Sequence, residues 1–222
     1  MKLNNIRQLF LKVLVVLSLL CYSNVIIVAQ EEIQKTFEIS SHDSCSISIE
    51  FKKDGTILPI TYSTLPANQA GVNSNNVWIW RSSEVPWNYK PMKTQPLEED
   101  ATQSGSLVLS DLVISPQTTY TVCYSLGTEV SQICACGTLD TGSDAIEYDF
   151  VDIDLVQANA NSLAIKYTTV IGYLPLKYGN WLGLWEGSAS PYNLGTPLAT
   201  VKLASDSNSG AVAINDINLA AG

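Results

Sequence analysis

One histidine, two methionines, four phenylalanines and a charged fraction of 15% are small holdings for a chain of 222 residues. His42 is the only imidazole, so general acid–base chemistry has almost nothing to work with. Ser41 and Asp43 flank it, but a catalytic triad needs side chains converging from separate segments, not neighbours in sequence. The chain has no G-x-S-x-G, no phosphate-binding loop and no H-E-x-x-H. Carboxylates are plentiful, yet no pair stands out for glycoside hydrolysis. These absences read as a protein that is not an enzyme and needs no cofactor. Basic residues are scarce too, at 12 against 21 acidic, for a net charge of −9. Lys2, Arg7 and Lys12 fall in the first 29 residues, where there is no acid, so the remainder carries −12. Such a surface repels phosphate backbones and anionic lipid, which excludes nucleic acid and membrane surfaces as partners. Past residue 29, no stretch keeps a helical period.

What is present is apolar: 46% of residues, ample for a core. Residues 1–29 read as a secretory signal peptide, with a basic start, an apolar run from Val13 to Cys21, and Ile27-Val28-Ala29 before Gln30. The apolar stretch Val13 to Ala29 sits at the short limit for spanning a bilayer, and Ser23 and Asn24 interrupt it. The expectation is cleavage after Ala29, no membrane insertion thereafter, and a secreted or cell-surface location. Cys45, Cys123, Cys134 and Cys136 would then remain, an even number that suits two disulfides. Cys134-Ala-Cys136 lacks the gap of a zinc knuckle, so no metal site is expected there.

The chain repeats itself. Residues 75–117 match 180–222 at a shift of 105, with Asn75/Asn180, Trp80/Trp185, Pro86/Pro191, Gly105/Gly210 and Asp111/Asp216 identical. Residues 46–63 match 162–179 at a shift of 116, through Ile49/Ile165, Leu58/Leu174, Pro59/Pro175 and Tyr62/Tyr178. The difference makes Thr64 to Ser74 an 11-residue insertion in the first copy. SISIEF, SLAIKY, SLVLSDLVI and AVAINDINL alternate with period two, while VWIW and WLGLW are apolar on both parities, as a central strand is. Short strands at this spacing predict an all-β sandwich in each copy.

Ile114-Ser-Pro-Gln-Thr-Thr-Tyr120 carries a resemblance: it is similar to the L-x-P-x-T-x-Y signature opening the sixth strand of fibronectin type III domains. The resemblance implies a tyrosine corner, with Pro116 in the turn and the Tyr120 hydroxyl bonding back to the backbone. It also implies the layout: tandem immunoglobulin- or fibronectin-III-like β-sandwiches over 33–141 and 145–222. Gly222 aligns with Gln117, so the second copy is expected to stop before its last two strands, as a fragment of a longer protein would.

Four aromatic residues are ligand-contact candidates. Trp80 and Trp185 occupy the same place in both copies, where a sugar-stacking platform competes with ordinary packing; repetition favours packing. Trp78, whose counterpart is Gly183, and Trp87, whose counterpart is Tyr192, are the more individual pair. Asp140, Asp144, Glu147, Asp149, Asp152 and Asp154 crowd the junction, but without calcium-loop spacing they read as a solvated strand. For the disulfides, a hairpin turning near Thr128-Glu129 sets Cys123 opposite Cys134 and leaves Cys45, at the start of the second strand, for Cys136. The function expected is a non-catalytic binding, spacing or display module with a protein or carbohydrate surface as ligand. The alternatives are an accessory module of a downstream enzyme and a strand-acceptor assembly subunit.

Overall fold

The computed structural model describes residues 11–18, 22–30, 36–39, 45–52, 56–98, 102–186 and 195–219, the first three stretches by their backbone alone. The structure is all-β. Among the described residues sixteen strands run in chain order: β1 (Leu11–Ser18), β2 (Tyr22–Gln30), β3 (Thr36–Ile39), β4 (Ser46–Ile49), β5 (Leu58–Ser63), β6 (Asn76–Trp80), β7 (Lys93–Pro96) and β8 (Ser104–Leu109). They continue with β9 (Thr119–Ser125), β10 (Ile133–Asp140), β11 (Ala145–Phe150), β12 (Asp152–Asn159), β13 (Ser162–Thr168), β14 (Trp181–Glu186), β15 (Ala199–Lys202) and β16 (Ser209–Asn215).

Two sheets form the first sandwich, in the orders β4-β5-β8 and β11-β10-β9-β6-β7. Tyr62 on β5 stacks on Tyr124 on β9, ring centroids 5.2 Å apart, which identifies the inner faces. Tyr124 pairs with Val77, so Val77 and Ile79 point inward beside Tyr120 and Val122, all fully buried. Tyr120 is the corner. Its hydroxyl accepts from the Ser115 N–H at 2.8 Å and lies 3.5 Å from the Val113 carbonyl, with Gln117 left-handed (φ 53°) in the turn between.

The second sandwich repeats this plan, with β12-β13-β16 on one side and β15-β14-β1-β2-β3 on the other. β1, β2 and β3 hold the places beside β14 that β9, β10 and β11 hold beside β6, and β1 runs antiparallel to β14 with Leu14 opposite Trp185. The positions expected to be empty are therefore filled, by the very stretch that reads as an export signal.

The repeat itself needs correction. Tyr62 pairs with Gly105 as Tyr167 pairs with Gly210, and Leu58 with Leu109 as Leu163 with Ile214. One shift of 105 therefore runs from Leu58 onward, and the shift of 116 fails. Nor is Thr64 to Ser74 an insertion. Its hydrogen bonds Thr64 N–H to Gln103, Asn68 to Leu65, Asn73 to Gln69 and Asn75 to Ala70 recur as Thr169 to Asn208, Tyr173 to Val170, Tyr178 to Leu174 and Asn180 to Pro175. Ala67 and Ser74 are left-handed, like Gly172 and Gly179. The false match arose because period-two alternation fits any strand on any other. The shared Leu-Pro pair lies on β5 in one copy and in a loop in the other. β4 is accordingly the equivalent of β12, and the first strand of its sandwich, not the second.

The disulfide is corrected as well. Cys123 is bonded to Cys136, and Cys45 and Cys134 stay as buried thiols. The turn at Val130–Gln132 sits later than expected, and the register slips between Ile133 and Ala135. Cys134 is the extra residue of that bulge, so Cys136 comes opposite Cys123.

Candidate functional site

The outer face of the sheet containing β6, β9 and β10 gathers the residues from which a site would be built. Trp78 and Trp80 point there, opposite in sense to Val77 and Ile79, and their rings stack at 6.0 Å. Trp78 stands opposite Cys123, and Cys136 follows on β10, so the disulfide crosses this face beside the indole. An outward face would ordinarily be wet, but the connection from Arg81 to Met92 folds back over it. The Thr121 hydroxyl donates to Ser82 O at 2.9 Å, and the Trp80 indole N–H donates to Tyr89 O at 3.1 Å. The Trp78 indole N–H donates to Ser125 Oγ at 2.7 Å. Trp80 is 2% exposed and Trp78 8%.

In the second copy the indole N–H of Trp185 donates to Gly195 O at 2.9 Å, one residue beyond the counterpart of Tyr89, and Trp185 is also buried. Trp181 tilts against it at 5.8 Å, and a side chain at Gly183 would collide with both rings. Glycine stands there because a tryptophan, as at position 78, would have no room. Trp78, Trp80 and Trp185 thus present no ring to a ligand. Trp87 is half-buried, but by the other sandwich: its indole N–H donates to Ile171 O at 3.2 Å and its ring meets Tyr173 edge-on at 5.1 Å. Tyr89, two residues on, is 76% exposed, and neither pattern nor repetition marks it in the sequence.

The acidic residues do not converge. Asp140 closes its own turn, accepting from the Ser143 hydroxyl at 2.7 Å and the Gly142 N–H at 2.9 Å, and these bonds hold its carboxyl below the usual range. Asp149 accepts from the Ile171 N–H at 2.6 Å. Asp152 and Asp154 line a shallow cleft of about 270 Å³ with Lys166, Tyr167, Ser209 and Gly210, and Asp154 lies opposite Lys166 in register. Among the described residues no three His, Cys, Asp or Glu side chains come together to hold a metal. His42 lies outside the described residues.

Burial raises the Asp149 carboxyl above its ordinary range, against the backbone donors of Ile171 and Phe150 that lower it. Burial first, then the charge of Asp154, does the same for Asp152. A raised carboxyl favours the folded state most when protonated. Its contribution is complete below the unfolded value of about 3.9 and is lost as pH rises through the folded one. Stability from these two groups should therefore grow as the pH falls from 7 toward 4. Asp149→Asn keeps an oxygen for the Ile171 N–H without the buried charge. Its melting temperature should exceed that of the parent at pH 7 and converge with it near pH 4; a lower value at pH 7 would mean that the charge itself stabilises.

A scan against protein-family models matches none, and a search of curated proteins finds no significant relative.

Proposed function

We propose that the chain is a non-catalytic, extracytoplasmic spacer or display module built from two fibronectin-III-like sandwiches. The observation that carries this reading is that the fold itself consumes the candidate ligand-binding groups. Three tryptophans are buried, the fourth is shared between sandwiches, and the junction acids serve a turn, a backbone N–H and one shallow cleft. The fibronectin-type assignment draws support from the Tyr120 corner. An oxidising location draws support from the Cys123–Cys136 bond, since such bonds persist outside the cytosol. Among the described residues no helix is long and apolar enough to cross a membrane. Residues 1–29 act as the export signal. Mass spectrometry of protein recovered outside the cytoplasm should show a chain starting at Gln30; a retained Leu11–Ala29 segment would overturn secretion by cleavage.

A second reading has an observation of its own. β1 and β2 lie within or across the proposed cleavage, so their removal opens the edge of β14 to another strand. A chain from Gln30 that aggregates alone and is rescued by the Leu11–Gln30 peptide would favour this acceptor role. One that is monomeric and cooperative alone would exclude it.

A further inference from the structure

The two sandwiches are joined with almost no linker. β11 is the outermost strand of the first large sheet, so the second unit expected to open at residue 145 begins after it. Val151, 2% exposed with its N–H on Cys134 O at 2.9 Å, then passes directly into β12. Across this seam one residue is held twice. Ile171, in the loop from Thr169 to Gly179, gives its N–H to Asp149 on β11 and receives the Trp87 indole N–H on its carbonyl. Both partners come from the first sandwich, the acceptor Asp149 from its last strand and the donor Trp87 from the turn after β6. Gly172 follows with φ +77°, and a Cβ there would stand 2.9 Å from Trp87 Nε1. Tyr173, 1% exposed, meets the indole edge-on at 5.1 Å and is itself stacked on Tyr178 at 5.0 Å.

The equivalent loop of the first sandwich makes the meaning of these residues readable. It has the same backbone hydrogen bonds and the same left-handed fourth residue, yet Pro66 stands for Ile171 and Ala67 for Gly172. Proline has no N–H to give to a carboxylate, and alanine carries the Cβ that the indole would meet. Tyr173 is replaced by Asn68, which turns inward to Thr64 and Asn75 at 2.6 Å each. Where the two loops agree they serve the fold. Where they differ, the second has become complementary to the first sandwich.

From this we infer that the loop Thr169–Gly179 is an interaction surface whose partner is the Trp87 turn and β11 of the preceding sandwich, and that the pair moves as one rigid body. Tandem domains ordinarily reorient about their linker. Here a strand continued through one buried residue, a doubly held residue at Ile171 and an indole seated over glycine remove that freedom. This deepens the spacer reading, because a rigid pair sets a fixed distance and angle between whatever it separates. It does not depend on that reading, since the joint can be rigid in a protein of any role.

The test is residual dipolar coupling on the full chain. A single alignment tensor should fit amides from 45–151 and from 152–219 in the parent. Trp87→Ala should require two tensors, with order in the second half reduced by the reorientation typical of linked domains. Trp87→Phe, which keeps an edge for Tyr173 but gives up the N–H, should fall between. Hydrogen-exchange protection measured within each half should stay unchanged, showing that only the joint is lost. If Trp87→Ala unfolds the first sandwich, Gly172→Ala decides by the same reading. A parent that already needs two tensors, or a common tensor kept in every folded variant, overturns the rigid joint. Loss of the joint with secretion and folding intact leaves the module reading standing.

Discussion

Trp80→Ala is expected to destabilise the first sandwich by roughly 3–5 kcal/mol, the range for removing a large buried aromatic side chain. The ring is 2% exposed, stacked on Trp78, and fastened through its N–H to Tyr89 O. Its removal costs the buried apolar area, opens a cavity beneath the Arg81–Met92 connection, and leaves a carbonyl without its donor. Trp185→Ala should act similarly in the second sandwich, because Trp185 makes an indole-to-carbonyl bond to Gly195. Urea denaturation of each variant reads the loss. A folded Trp80→Ala protein within 1 kcal/mol of the parent would show that the ring contributes little to the core, and the sugar-platform reading would regain its footing. Tyr89→Ala makes a useful contrast, since that ring is mostly in solvent and only its backbone carbonyl is engaged. It should leave stability within about 0.5 kcal/mol of the parent, as surface substitutions usually do.

The disulfide gives the other large effect. Cys123 and Cys136 are 13 residues apart in sequence, on adjacent strands and opposite in register. A cross-link closing a loop of this size restricts the unfolded chain by about 2–4 kcal/mol. Cys123→Ala with Cys136→Ala should therefore lower the melting temperature by roughly 10–15 °C for a sandwich of this size. Non-reducing peptide mapping should recover Cys123 with Cys136 and both Cys45 and Cys134 as thiols. A Cys45–Cys136 or Cys123–Cys134 peptide would restore the pairing expected from a simple hairpin and contradict the bulge. The double variant also separates this bond from thiol exchange, because Cys45 and Cys134 are buried and reach no reagent until the sandwich opens.

Class, alternation and the corner were legible in the residues alone. Tyr120, Val122 and Tyr124 alternate with Thr121, Cys123 and Ser125, and that periodicity is enough to set two faces on one strand, since successive side chains must point apart. It also placed Trp80 and Trp185 at one site in two copies. What periodicity lacks is an origin. A strand matched to another strand looks equally good several residues away, and so alternation alone sets the first block of the repeat 11 residues out of register. Hydrogen-bonded pairing resolves it because Tyr62 opposite Gly105 is a distance, not a pattern. The same reason lies behind the cysteines. Counting residues across a hairpin assumes an unbroken ladder, and the single extra residue at Cys134 moves every partner after it.

Burial of the outer face was beyond the sequence for a different cause. Nothing local to Trp78 or Cys123 says that the Arg81–Met92 connection will return across them. That depends on carbonyls at Ser82 and Tyr89 arriving where Thr121 and Trp80 can donate. The joint is more remote still. Trp87 and Ile171 stand 84 positions apart, and only the direct passage from β11 into β12 brings the turn of one sandwich onto the loop of the next. Composition and period determined that this chain forms sandwiches with a tryptophan at the same place on the third strand of each. The tertiary structure decided which cysteines meet, which tryptophan is shared and how the two units are locked, because each rests on groups that only the folded path makes neighbours.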